Sequence, residues 1–121
     1  MDTRRFESLV MQAIQELPPA FLERMDNLDI VVEDWASPTQ LIGSGIEEKE
    51  SLLGLYEGIP LPDRYDYNLV LPDKITLFKK AIESICDTDD EIVTEVRKTV
   101  VHEIAHHFGI DDEALHEMGI Y

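Results

Sequence analysis

The sequence contains one cysteine, few basic residues and no long apolar run. Because Cys86 stands alone, no disulfide can form within the chain. No apolar run approaches the roughly 20 residues of a membrane-spanning helix. The first residues also lack the apolar core and small-residue cleavage site of a signal peptide. We therefore expect a cytoplasmic protein that does not engage a membrane.

The shortage of basic residues limits the classes of partner. Lys and Arg number 10 against 26 acidic residues, which gives a formal net charge of −16. Nucleic-acid binding depends on basic side chains that neutralise phosphates, so this balance argues against nucleic acid. It disfavours an anionic membrane surface for the same reason. A basic peptide would be attracted, although a solvated acidic surface is the simpler interpretation.

Length and composition predict a single domain over residues 1–121. Apolar residues make up 44% and charged residues 30%, which is typical of a globular chain. The chain is long enough to bury one core and too short for two. We find no internal repeat, low-complexity tract or Gly/Ser linker.

The first half of the chain alternates helical and strand patterns. Apolar residues at helical spacing predict a helix over Thr3–Glu16, which Pro18 and Pro19 end. A short helix is expected through "AFLERM". The β-branched stretch "LDIVVEDW" predicts a strand from about Leu28 to Asp34. The stretch "TQLIGSGIEEKES" is interpreted as a mobile loop.

The middle of the chain has strand-like pieces interrupted by Gly58, Pro60, Pro62 and Pro72. Proline cannot donate to a β-ladder, so we expect these pieces at sheet edges or in loops. "KITLF" is the better candidate for an internal strand. "KKAIESIC" is interpreted as a short helix.

The clearest prediction is a helix from about Asp89 to Phe108, roughly 30 Å long. Thr88 and Glu91 have the spacing of a capping box, and Gly109 suits a left-handed C-terminal residue. On a helical wheel the core stripe collects one set of apolar residues: Val93, Val96, Val100, Ile104 and Phe108.

Three of the four histidines lie in "HEIAHHFGIDDE", and the wheel sorts them into two roles. His102 and His106 fall opposite the core stripe, about 40° apart. Two imidazoles one turn apart can chelate a single zinc ion. Glu103, offset from that pair, can take the proton of a zinc-bound water, its role in HExxH. His107 falls near the apolar stripe, so we interpret it as a packed residue.

A catalytic zinc usually has three protein ligands, so the pair needs a third. Gly109 permits the chain to turn back toward the metal. Asp112 stands six residues after His106, where the longer pattern HExxHxxGxxH has its third histidine. We predict Asp112 as the third ligand of one zinc per chain, with Asp111 and His116 in reserve.

The segment "VRKTVVHEIAHHFGIDDEALHEMGI" resembles a family of small bacterial zincin-like metallopeptidases, minimal zincins similar to matrix metalloproteases. "LLGLYEGIPL" and "LPDKITLFKKAIE" look like the family's sheet and rim segments. The resemblance implies an α+β fold in which a small mixed sheet packs on the HExxH helix, and a zinc held by His, His and Asp. It departs from the larger metzincins because the third ligand is Asp and Met118 follows it too closely for an ordinary methionine turn.

These residues predict a zinc-dependent metallopeptidase that acts on a peptide or protein substrate. Glu103 would be the general base, and a sheet edge between Leu52 and Ile59 would hold an extended peptide. The alternatives are a zinc-stabilised interaction module without catalysis and an inactive zincin that binds a basic partner. A closed structural zinc site would need His116 or Asp111 as a fourth ligand.

Overall fold

The computed structural model describes residues 1–25, 28–58 and 73–117, except for the side chains of Arg24 and Asp112. Six helices and three strands lie in this part of the chain, together with 3-10 turns at Glu23–Met25 and Lys49–Ser51. In chain order they are α1 (Thr3–Gln15), α2 (Pro19–Leu22), β1 (Leu28–Glu33), α3 (Pro38–Ser44), β2 (Gly54–Glu57), β3 (Asp73–Phe78), α4 (Lys79–Ser84), α5 (Asp89–Phe108) and α6 (Asp112–Glu117).

The described strands form a mixed sheet in the order β1-β3-β2. β1 runs parallel to β3, whereas β2 runs antiparallel to it. The "KITLF" strand is therefore internal, as predicted, and the "GLYE" strand lies at an edge. The α+β architecture with a small mixed sheet, a long helix and an N-terminal helix is confirmed.

The main core lies between α1, α5 and one face of the sheet. Successive strand residues point to opposite faces, so Ile75 and Leu77 face this core while Phe78 faces the other side. α1 contributes Phe6, Val10 and Ala13, all buried. The predicted stripe of α5 supplies Val93, Val96, Val100 and Ile104, all buried.

The prediction for Phe108 was wrong, because its side chain is 46% exposed rather than part of the core. The helix ends at this residue, and the chain turns at Gly109 with φ of 66°. Ile110, after the turn, packs against the main core instead. A helical wheel cannot anticipate this, since it extends the stripe to the last residue regardless of where the core ends.

The mobile-loop interpretation of "TQLIGSGIEEKES" was also wrong, because its first part belongs to α3. The Ser37 hydroxyl accepts from the Gln40 amide at 3.2 Å, and the Gln40 side chain accepts from the Ser37 amide at 2.8 Å. This reciprocal capping box, followed by Pro38 in the first helical turn, nucleates a helix that Gly45 ends with φ of 77°. Ser37 and Pro38 stand just before the stretch that was interpreted as a loop, and Gln40 is its second residue.

The boundaries of α5 agree with the prediction, but its capping box is only half formed. The Thr88 hydroxyl accepts from the Glu91 amide at 3.1 Å, as expected of an N-cap. The Glu91 carboxylate accepts from the Thr88 hydroxyl at 3.3 Å rather than from its backbone amide. None of the helices in the described part of the chain is long and apolar enough to cross a membrane.

Close packing of β2 on α5 predicts that Gly54→Ala destabilises the fold. A methyl group on Gly54 would lie 2.6 Å from Cγ2 of Thr99, a buried, β-branched and stiff side chain. Such overpacking costs about 1–3 kcal/mol in the free energy of unfolding. Urea denaturation measures the change.

Gly43→Ala is the matched control, since nothing lies within 4 Å of its added methyl, and it should stabilise α3 by about 0.5–1 kcal/mol. Equal stability of the two variants would contradict the tight contact.

Candidate active site

The solvent-facing side of α5 carries His102 and His106. Both side chains are exposed, while Val100 and Ile104 on the opposite side are fully buried. Residues four apart on a helix share a face and lie one above the other. Two imidazoles are therefore available to a ligand on one face of α5.

The carboxylate of Glu103 lies between this helix and the edge of the sheet. Its Oε1 accepts from the backbone N–H of Tyr56 in β2 at 3.0 Å. Phe78 N donates to the Leu53 carbonyl at 2.9 Å, so Leu53 faces β3. In an antiparallel pair, residues whose N–H and C=O groups face the partner strand alternate with residues whose groups face away from it. The N–H groups of Gly54 and Tyr56 therefore point to the outer edge of β2. Glu103 is thus held at the outer edge of β2, beside the exposed histidines.

The side chain of Tyr56 ties β2 to the end of α5. Its ring stacks on His107, with ring centroids 3.8 Å apart and an interplanar angle of 18°. Its hydroxyl donates to Oδ2 of Asp73 at 2.6 Å. Burial raises the pKa of the Tyr56 phenol, and the hydrogen bond to Asp73 and its negative charge raise it further. The phenol therefore stays protonated and keeps donating to Asp73 at neutral pH.

His107 and Phe108 form the rest of this aromatic contact. The Phe108 ring stands edge-on to Tyr56, with centroids 6.2 Å apart, and edge-on to His107 at 5.0 Å. His107 Nε2 lies 4.0 Å from Oδ2 of Asp73. His107 thus packs against the Tyr56 and Phe108 rings, but its side chain is 40% exposed and it does not join the core stripe.

The segment after α5 folds back onto the core. Ile110 N donates to the Ala105 carbonyl at 2.8 Å, and Leu115 of α6 is buried in the main core. Oδ1 of Asp111 accepts from the Ala114 amide at 2.8 Å, so this carboxylate caps the start of α6. Asp112 is the first residue of α6, and its side chain lies outside the described part.

This arrangement agrees with a comparison against protein families. The family described as "Zincin-like metallopeptidase" matches residues 25–120. The chain belongs to the zincin-like metallopeptidases. No curated protein matches the chain. Membership of this family implies zinc binding and a peptide or protein substrate.

The donor set of this zincin-like metallopeptidase suits zinc, because imidazole nitrogens and a carboxylate oxygen are accepted zinc ligands. Among the described side chains, no group of three or more His, Cys, Asp or Glu residues is arranged to hold a metal ion. His102 and His106 are both described, whereas the side chain of Asp112 is not. His116 is exposed on the last turn of α6. Met118, considered as a methionine turn, lies outside the described residues.

Two residues that contact this region, Tyr56 and Asp73, could not be singled out from the sequence of the zincin-like metallopeptidase. Tyr56 is one of four tyrosines, and nothing in the sequence favours it over the others. Asp73 occurs only within the quoted segment "LPDKITLFKKAIE", with no role assigned to it. Their contacts join residues far apart in the chain, so only the tertiary structure identifies them. A weak signal existed, since Tyr56 falls in the segment expected to form the substrate-binding edge.

Proposed function

We propose that this zincin-like metallopeptidase hydrolyses peptide bonds with one zinc per chain, held by His102, His106 and Asp112, and with Glu103 as the general base. The observation that carries this proposal is the position of Glu103. Its carboxylate lies at the outer edge of β2, bonded to the Tyr56 amide, on the helix that presents the two exposed histidines. A base at a strand edge can meet the main chain of an extended peptide.

The ligand set follows from what each candidate side chain already does. Asp111 is engaged as the cap of α6, which favours Asp112 as the third ligand over its neighbour. When bound, zinc supplies Lewis acidity that polarises the scissile carbonyl and lowers the pKa of a coordinated water toward about 7. The remaining steps are performed by side chains of the chain itself.

Glu103 would move one proton twice. It accepts a proton from the attacking water as the water oxygen bonds to the scissile carbonyl carbon. It then delivers that proton to the leaving nitrogen as the carbon–nitrogen bond breaks. The hydrogen bond from the Tyr56 amide holds Oε1 of the carboxylate at the strand edge, which reduces the reorganisation needed at the moment of reaction.

The substrate would bind as an additional strand along β2. Among the described strands β2 is at the edge of the sheet. The Tyr56 N–H is taken by Glu103, so the Gly54 N–H and the outward C=O groups are the ones that can pair with an extended peptide. The net charge of −16 would attract a basic peptide to this acidic protein. The cytoplasm is the proposed location.

Digestion of a degenerate peptide library tests this function. The zinc-loaded protein should cleave library peptides, detected by mass spectrometry. Removing zinc with a chelator should abolish cleavage, and readding zinc should restore it. A protein that binds zinc but cleaves nothing would contradict the peptidase proposal. It would support the interaction module, in which zinc only stabilises the fold.

A further inference from the structure

A cavity of about 710 Å³ opens beside Glu103 and reaches the start of β2 at Gly54 and the residues just before it. Its walls include Leu52 and Gly54 from the strand side and Thr99, His102 and Glu103 from α5. This volume lies within the range of about 300–1,000 Å³ typical of ligand-binding pockets. The cavity is therefore large enough for a few residues of a peptide.

Two features together indicate which end of a peptide enters this cavity: the direction of β2 relative to α5, and the direction in which the peptide pairs with β2. Gly54 lies against Thr99, and Tyr56 is bonded to Glu103, so the strand and the helix run in the same direction. The cavity reaches from Glu103 toward the N-terminal ends of both elements. Antiparallel pairing outnumbers parallel pairing about two- to three-fold. A peptide paired antiparallel to β2 places the residues after its scissile bond in the cavity.

Among the side chains that the structure describes, one cation on the α5 wall of the cavity carries no ion pair. Arg97 lies 3.9 Å from the Glu16 carboxylate. Glu95, half-buried, lies further from Glu103 along the helix. Lys98 is exposed, and no ion pair joins it to any side chain in the described ranges. Lys98 is thus available to an anionic group of a ligand in the cavity.

We propose that Lys98 binds a carboxylate of the substrate about two residues beyond the scissile bond, and that this group is the free C-terminus. This inference rests on the proposed peptidase function. Lys98 and Glu103 lie five positions apart on α5, a rise of about 7.5 Å along the helix axis, and both line the cavity. Two extended residues span about 6.6 Å. The cleaved product would therefore be a short C-terminal fragment, close to a dipeptide.

The net charge of the chain favours a terminal carboxylate over an acidic segment. A polyacidic peptide would be repelled by a protein with a net charge of −16. A basic peptide with a free C-terminus is attracted to the acidic surface through its basic residues and still supplies one carboxylate to Lys98. An Asp side chain at the same distance supplies the same chemistry, and the experiment separates the two sources.

The test compares three dye-labelled hexapeptide pools: a free acid, its C-terminal amide, and an amide with Asp as the last residue. The wild-type protein should cleave the free acid about five- to tenfold faster than either amide, mostly two residues from the end. Lys98→Gln should reduce cleavage of the acid to that of the amide. Lys98→Arg should retain the preference. Lys80→Gln removes an exposed lysine on α4 and is the matched control, so it should also retain it.

Binding of the pools to zinc-loaded Glu103→Gln protein, followed by fluorescence anisotropy, separates this inference from the peptidase proposal. The inference is supported if Glu103→Gln binds the free acid more tightly than the amide and the double variant Lys98→Gln/Glu103→Gln does not. This holds even if no variant cleaves any peptide and the peptidase proposal fails. Equal binding and cleavage of acid and amide overturns the inference while peptidase activity stands. A preference for the Asp amide over the free acid overturns the assignment to the C-terminus.

Discussion

Glu103→Gln should lower kcat by about a hundredfold to ten-thousandfold, the usual contribution of a general base. Glutamine keeps the shape of the side chain, and its carbonyl oxygen can still accept from the Tyr56 amide. It cannot take a proton from water. The fold and the zinc content should therefore be unchanged, and KM should change far less than kcat. Steady-state kinetics on a peptide selected from the library measure both constants.

A matched carboxylate shows whether this loss is specific to the position. Glu7 is exposed on α1, and Glu7→Gln makes the same chemical change there, so we expect wild-type kcat from it. Elemental analysis of both variants confirms that zinc is still bound. Wild-type turnover by Glu103→Gln would rule out Glu103 as the general base, whatever the metal content.

His102→Ala and His106→Ala should each weaken zinc binding by more than the 10- to 100-fold that loss of an outer hydrogen-bond partner causes. Each substitution removes a direct ligand from a three-ligand set. Both side chains are exposed and fill no part of the core, so the free energy of unfolding without metal should change little. Competition with a chromophoric zinc chelator measures the affinity, and thermal denaturation without metal measures the stability. His116→Ala is the control and should bind zinc as the wild type does.

Substitutions at the neighbouring aspartates identify the third ligand. Asp112→Asn should weaken zinc binding, because an amide is a poorer zinc ligand than a carboxylate. Asp111→Asn should leave zinc affinity unchanged, since asparagine caps the start of α6 as well as aspartate does. The reverse pattern would assign the metal to Asp111. Loss of affinity in His116→Ala alone would assign it to that histidine.

Local signals explain why some parts of the fold could be predicted from the sequence. The helix from Asp89 to Phe108 has a threonine cap at one end and a left-handed glycine at the other. Both act within a few residues, so they can be read without the rest of the structure. The helix over Pro38–Ser44 carries an equally local signal at Ser37 and Gln40, and it was missed only because the segment was divided between those two residues.

Contacts between distant residues could not be predicted in the same way. The bond from the Tyr56 amide to Glu103 joins positions 47 residues apart. It depends on the edge position of β2 and on the close approach of Gly54 to Thr99. Neither is encoded in a short pattern. The spacing of His102 and His106 placed two side chains on one face of a helix, and a sheet edge was expected near Leu52 to Ile59, but the bond between that edge and Glu103 emerged only from the assembled fold.

The metal content of the protein, purified without a tag and without added metal, tests the central claim most directly. Elemental mass spectrometry should find about one zinc per chain in the wild type and much less in His102→Ala and His106→Ala. This result would mean that the exposed histidines hold the metal. An absence of zinc together with no uptake on titration would mean that these ligands do not converge, and it would contradict both the zinc site and the peptidase built on it.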